Sequence, residues 1–116
     1  MREEEIKNEN GAEVEQSAES AAVGTYVFKK PTKIDGEEEK EISYDLTLLN
    51  GGAIRRAKAE LTRRGYHVAV KELDEVYHTA LFAQVTGLTI DNVDAFSAVD
   101  YMEVADIVRN FLTAQD

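Results

Sequence analysis

Asp74 and His78 are the first residues of this chain whose types and spacing could do chemistry, since they stand four positions apart. On a helix this spacing puts both side chains on one face, where they could form half of a metal site or orient an imidazole. The sequence has one other histidine, His67, and no cysteine, so no second motif completes a ligand set. We therefore expect an exposed structural pair near a helix N-terminus, and no metal site.

Two further candidates lie at predicted helix starts. Ser97 could be a nucleophile, but no strand-to-helix elbow surrounds it, and a helix cap explains it better. Gly51 and Gly52, followed by Arg55 and Arg56, could hold an anion on backbone N–H groups. They lack the Gly-Lys-Ser/Thr ending of a phosphate loop, which favours a simple turn into the helix. The sequence thus predicts no catalytic residue, no cofactor and no enzyme activity.

The composition favours a protein partner. The chain has 116 residues, enough for one domain, and a formal net charge of -10, so the phosphates of nucleic acid and of anionic membranes would repel it. The lack of cysteine suits a reducing compartment, and no apolar run approaches the roughly 18 residues that a membrane span requires. We expect a cytoplasmic protein that binds other proteins.

Half of the net negative charge lies in residues 1–23, called the acidic arm below. Seven glutamates stand there against one arginine and one lysine, a net charge of -5. Before Val23, Ile6 and Val14 are too few apolar side chains to offset the entropy of ordering the segment, so we predict a disordered arm. It could be a solubilising tail, which is favoured, or a docking arm. Residues 24–116 form the predicted folded domain.

A β-hairpin is predicted at the start of this domain. The β-branched and aromatic residues 25–28 indicate a strand that ends at Lys29-Lys30-Pro31. Residues 42–46 alternate apolar with polar side chains, and Ile34-Asp35-Gly36 supplies the turn between the strands. A lone hairpin is marginal in water, so its apolar face must pack on the helices that follow.

Three to four helices complete an α+β fold, with the antiparallel hairpin first, in a single small domain. Asn50 can cap the first helix, which ends at Gly65. The second covers about residues 73–86 and is followed by Gly87, and Thr89 begins a short helical turn within residues 88–96. Ser97 with Asp100 resembles a capping box that opens the last helix.

The first predicted helix is basic although the protein is acidic. Residues 51–71 carry six lysine and arginine side chains against Glu60 alone, a net charge of +5. A solvated helix face that attracts the acidic remainder of the chain is the favoured interpretation, and a dedicated partner patch is the alternative.

Phe82 and Met102 are the predicted partner-binding residues. At about 100° per residue, Phe82 points away from the apolar stripe of the second helix, and Met102 lies outside the apolar arc of the last one. Methionine is common at adaptable binding surfaces. The alternative is that both residues are core, because a helix that packs on several sides is apolar all round.

Several short motifs follow one another in an order that indicates a resemblance to a known family. They are Tyr26-Val27-Phe28-Lys29-Lys30-Pro31 with Ile34-Asp35-Gly36, then Ile42-Ser43-Tyr44-Asp45-Leu46, then Leu73-Asp74, Tyr77, Ala80-Leu81-Phe82-Ala83 and Gly87, and last Ser97-Ala98-Val99-Asp100-Tyr101 with Val108-Arg109-Asn110-Phe111-Leu112. Over residues 25–112 the chain resembles the small tail assembly chaperones of contractile-tailed bacteriophages and related prophages. It departs from them in its longer acidic arm and in Asn50-Gly51-Gly52, which replaces the usual Leu-Thr-Gly.

This resemblance implies a non-enzymatic chaperone in the cytoplasm of the bacterial host. Its partner would be the long, helical tape measure protein, kept soluble until tail tube subunits polymerise around it. Contacts with tail tube subunits and self-association are further implied possibilities. The alternative from a different class is a structural tail or baseplate component that stays in the mature particle.

Overall fold

A β-hairpin followed by four helices forms the part of the chain that the computed structural model describes, residues 22–68 and 74–114. The elements are β1 (Val23–Ile34), β2 (Glu37–Asp45), a 3-10 turn (Leu46–Leu48), α1 (Gly51–Arg63), α2 (Glu75–Thr86), α3 (Ile90–Asp94) and α4 (Ala98–Ala114). The two strands pair antiparallel, and this confirms the predicted α+β fold class with an N-terminal hairpin in one small domain.

The fold begins two residues earlier than the predicted boundary. Ala22 is fully buried in the core, and Val23 pairs with Asp45 at the base of the hairpin. Both residues therefore belong to the folded domain and not to a disordered segment. The remainder of the acidic arm, residues 1–21, lies outside the described residues, as do residues 69–73 and 115–116.

The hairpin is longer than the apolar pattern predicted. Asp35 and Gly36 have φ angles of 55° and 85°, and positive φ at both central positions is the signature of a type I′ turn. This turn matches the right-handed twist of the strands, so pairing continues through the charged residues next to it, where Ile34 pairs with Glu37. The strand prediction stopped short because it followed side-chain hydrophobicity, whereas the turn geometry sets the pairing.

A large irregular bulge interrupts β1 at Pro31. The pairing register shifts between Val27, opposite Glu41, and Thr32, opposite Glu39, so four residues of β1 face Lys40 alone. Proline cannot donate to a strand ladder and is tolerated at such a bulge. The bulge leaves the backbone N–H groups of Lys29 and Lys30 in need of other acceptors.

Asp100 of α4 supplies those acceptors. Its Oδ1 accepts from the Lys29 amide at 2.8 Å and from the Tyr26 hydroxyl at 2.5 Å. Its Oδ2 accepts from the Lys30 amide at 3.1 Å and from the Ser97 hydroxyl at 2.7 Å. Each oxygen thus receives two donors, which fills the acceptor capacity of an ionised carboxylate. Asp100 is fully buried and fastens the hairpin to α4.

These hydrogen bonds decide the charge state of Asp100. Burial alone would raise the pKa of this carboxyl, but the hydrogen bonds, above all that from Tyr26, outweigh burial and hold the pKa below its ordinary value. The pKa of the Tyr26 hydroxyl is raised by its burial and by its hydrogen bonds to Asp100 and Glu103. Asp100 therefore stays ionised, and Tyr26 stays protonated as a donor.

Helix α2 lies at the centre of the fold. It packs against α4 and α1 and also contacts α3 and β2, and every residue from Tyr77 to Ala83 is buried. The largest fully buried hydrophobic side chains are Phe82 and Leu81 of α2 itself and, from other elements, Leu46, Val104 and Val108. An apolar helix without a polar face is what such a surrounded position requires.

The predicted helix caps are confirmed. The Asn50 side chain accepts from the Ala53 amide at the start of α1, and Thr89 forms a capping box with Asn92 at the start of α3. Gly87 ends α2 with a left-handed φ of 76°. Ser97 accepts from the Asp100 amide at 3.2 Å, as expected for the cap of α4.

Candidate functional site

The Asp74 carboxylate is a structural cap. It accepts from the Val76 and Tyr77 amides at 2.9 and 3.1 Å at the start of α2, and from the Tyr66 hydroxyl at 2.8 Å. The hydrogen bond to Asp74 raises the pKa of Tyr66 to about 12, so the phenol remains a donor. Asp74 thus ties the chain that follows α1 to the start of α2.

His78 is buried, and the prediction of an exposed pair is wrong in this respect. Only 3% of its surface is exposed, and its ring lies 5.7 Å from that of Tyr77. Because α2 is surrounded, a residue one turn after the cap already faces its neighbours. Burial lowers the pKa of His78, Arg109 lowers it further, and Asp74 and Asp106 oppose this in part. We therefore expect a neutral imidazole inside the fold.

Protein stability should consequently decline on mild acidification. The unfolded chain takes up a proton on His78 near the ordinary pKa of about 6.5, whereas the folded chain takes it up only at lower pH. The free energy of unfolding should thus be constant above about pH 7 and fall as pH drops below about 6.5. Denaturant titrations at several pH values measure this, and His78→Gln should flatten the slope. The matched control is His67→Gln at an exposed histidine, and an equal flattening there would contradict the assignment.

The other chemical candidates also have structural partners. The Ser97 hydroxyl donates to Asp100 and caps α4, and the N-cap at the Gly51-Gly52 turn is the side chain of Asn50. Within residues 22–68 and 74–114, no group of three or more histidine, aspartate or glutamate side chains could hold a metal ion. In the same residues no helix is long and apolar enough to cross a membrane.

Phe82 and Met102 do not form a common surface. Phe82 is fully buried, and its ring lies 5.8 Å from that of Tyr44 in β2, so the prediction that it contacts a partner is wrong for the folded protein. The helical wheel located one apolar stripe correctly but could not show that α2 has neighbours on its other sides. Met102 is 47% exposed, with Val99 one turn before it at 55%. The role of Met102 as a partner contact stays a prediction.

The candidate binding surface is the outward side of α1, which carries a cluster of exposed basic side chains. This helix packs on α2 through Ala53, Ala57 and Leu61 and turns its other side outward. We call this outward side the α1 face. Its exposed basic residues are Arg55, Arg56, Lys58, Arg63 and Arg64. Sequence reasoning identified this charge, but the concave region beside it depends on how α1 packs against α2 and the start of α3.

One concave region, the inner groove, runs between α1 and the α2–α3 connection. It encloses about 560 Å³, and its apolar lining comes from Ala59, Ala83, Leu88 and Ile90. Polar side chains from both sides border it. Arg56 Nε donates to Gln84 Oε1 at 3.0 Å on one side, and Arg64 Nη1 lies 2.9 Å from Asp91 Oδ1 on the other. The first contact joins α1 to α2, and the second joins α1 to α3.

A second region, which we call the outer groove, is an open surface between side chains of α1 itself. It has a volume of about 640 Å³ and is lined by Gly51, Ile54, Arg55, Lys58, Ala59, Thr62 and Arg63. Ala59 and Arg63 border both grooves, so the two regions are continuous across α1. Around the helix its small and apolar side chains alternate with cationic ones, so this side of α1 is exposed and predominantly basic.

The cations of this face are only partly neutralised. Glu60 forms ion pairs with Arg63 and with Arg64, the latter at 2.8 Å between Oε2 and Nε. Arg64 also lowers the pKa of Asp91 by hydrogen bonding to it. Among the described residues, Arg55 and Lys58 form no ion pair. The outer groove therefore carries a net positive charge and suits an apolar segment with acidic flanks.

The chain matches no family model, no curated protein sequence and no solved structure.

Proposed function

We propose that this protein is a non-enzymatic tail assembly chaperone that binds the tape measure protein and keeps it soluble in the cytoplasm of a bacterial host. The observation that carries the proposal is the α1 face, an exposed basic surface beside the inner groove on a small acidic domain. The resemblance of residues 25–112 to tail assembly chaperones supports the same partner.

The α1 face fits one side of an amphipathic helix. Helix-in-groove recognition needs an apolar strip for the anchors of the ligand and polar contacts at its edges. Ala59, Leu88 and Ile90 of the inner groove offer the strip, and Arg55, Lys58 and Arg63 offer cations beside it. A tape measure helix would place its apolar stripe over Ala59 and its acidic side chains beside the cations. Covering that stripe removes the surface through which such helices aggregate.

The remaining negative charge of the protein serves the same purpose. With a net charge of -10, the chain would bring solubilising charge to the complex while presenting its basic face to the ligand. Release also fits, because contacts at an open groove rim exchange readily. Tail tube subunits that cover the same helical stripe would displace the chaperone.

Reversing the charge of the rim should weaken the complex. We expect Arg55→Glu with Lys58→Glu to lower affinity for a helical tape measure segment about tenfold, because acidic flanks would then meet like charges. Co-expression followed by measurement of soluble tape measure tests this. The control is Lys33→Glu with Lys40→Glu, the same charge change at exposed hairpin positions. Equal loss in both variants would show that net charge, and not the α1 face, governs solubility.

The alternative, a structural tail or baseplate component, makes a different prediction for finished particles. A chaperone should be missing from purified mature tails, because tube subunits have replaced it. Quantitative mass spectrometry of purified particles measures this. A stoichiometric amount of the protein in mature tails would contradict the chaperone proposal and support the structural component.

A further inference from the structure

The acidic arm has a charge opposite to that of the α1 face. Residues 1–21 contain seven glutamates and two basic residues, a net charge of -5. The described part of α1 and the residues after it, 51–68, contain five basic residues and one acidic residue, a net charge of +4. The rest of the chain is acidic as well, so the α1 face is the one strongly basic surface in the described ranges toward which the arm is attracted.

The chain geometry brings the arm to this surface. The arm joins the fold at Ala22 and Val23, and Val23 pairs with Asp45, five residues before the N-cap Asn50. Five residues span at most about 17 Å, and paired strands lie about 5 Å apart, so the end of the arm lies within roughly 25 Å of the start of α1. Twenty-one residues can extend about 70 Å, whereas a helix of 13 residues such as α1 is about 20 Å long.

Tethering makes weak attraction sufficient. A segment joined to the same chain by a short connection has an effective concentration of the order of millimolar, so modest affinity suffices for occupancy. The arm also carries Ile6 and Val14 among its glutamates, and these apolar side chains could contact Ala59. Any other acidic ligand must compete with this segment.

We propose that the acidic arm docks on the α1 face of its own chain and occupies the outer groove. The contact is electrostatic at Arg55, Lys58 and Arg63, with apolar side chains of the arm over Ala59. An acidic helical partner then binds by displacing the arm. This last consequence rests on the proposed function, whereas docking of the arm does not.

Paramagnetic labelling of the full-length protein tests the docking directly. The chain contains no cysteine, so Asn8→Cys carries a single nitroxide. At low salt we expect the label to reduce the amide signals of Ile54, Lys58 and Thr62 at least about twofold, because a dissociation constant no larger than the millimolar effective concentration keeps the arm docked at least about half of the time. In about 1 M salt, where the Debye length is about 3 Å, the signals should recover. The amide of Met102 on α4 serves as the reference.

Charge-reversal variants and a mixture of two differently labelled proteins decide whether the arm docks on the α1 face of its own chain. Arg55→Glu with Lys58→Glu should abolish the signal loss on α1, while Lys33→Glu with Lys40→Glu should preserve it. Signal loss that is equal on α1 and α4, or that survives charge reversal, would overturn the proposal. A mixture of nitroxide-labelled protein and isotope-labelled protein without a nitroxide should show no loss. Loss in that mixture would overturn docking within one chain and assign the surface to the arm of a second copy. None of these outcomes depends on a tape measure protein.

Discussion

Replacement of Asp100 by asparagine is expected to lower the free energy of unfolding by about 3 kcal/mol, because it leaves buried donors without an acceptor. The carboxylate receives two donors on each oxygen, from Tyr26, Lys29, Lys30 and Ser97. An amide nitrogen at either position would face donors instead. At least one backbone N–H group of the β1 bulge would lose its partner, and the attachment of the hairpin to α4 would be weakened.

Urea unfolding followed by circular dichroism measures this loss as a shift in midpoint. The matched control is Asp106→Asn on the same helix, where the side chain is half exposed and pairs with Arg109 at 2.9 Å. It should change stability by less than about 1 kcal/mol. The contribution of Asp100 should be complete above about pH 4 and vanish as pH falls through its lowered pKa, since only the ionised form accepts four hydrogen bonds. A loss at Asp100 as small as that at Asp106 would contradict the network.

Truncation of Phe82 to alanine should cost about 3–5 kcal/mol, the range typical of a large aromatic side chain in a packed core. The ring is fully buried in α2, against Tyr44 and the neighbouring helices. A cavity of this size at the centre of the fold cannot be filled without moving several elements. This variant should also lose partner binding, but only in proportion to the unfolded fraction.

Met102→Ala is the control for this experiment. Its side chain is 47% exposed on α4, and the change should alter stability by no more than about 0.5 kcal/mol. Thermal unfolding of both variants gives the comparison. If Phe82→Ala were as stable as Met102→Ala, Phe82 would not be a core residue, and the sequence-based assignment to a binding surface would stand again.

Local features of this fold could be predicted because their causes lie within a few residues. Asn50, Thr89 and Ser97 cap helices through side-chain geometry that short sequence patterns record. Asp35 and Gly36 likewise fix a two-residue turn. No such sequence pattern indicated the β1 bulge. Pro31 predicted the end of the strand, but strand pairing resumes beyond it at Thr32.

Burial inside the molecule could not be predicted in the same way. Phe82 and His78 lie off the apolar stripe of α2, and only the number of elements around that helix decides that they are buried. Asp100 was visible as part of a cap, but its donors at Lys29 and Lys30 lie about 70 positions earlier in the chain. For the α1 face, the sequence predicted the charge, while the inner groove beside it depends on how α1 lies against α2 and α3.

The central claim, that the α1 face binds a helical partner, is tested most directly by chemical-shift mapping of the isotope-labelled protein with a helical segment of the tape measure protein. We predict the largest amide shifts at Ile54, Arg55, Lys58, Ala59 and Thr62, and their loss in Arg55→Glu with Lys58→Glu. Shifts confined to Val99 and Met102 on α4 would contradict it. The absence of shifts at protein concentrations that keep the tape measure protein soluble would contradict it as well.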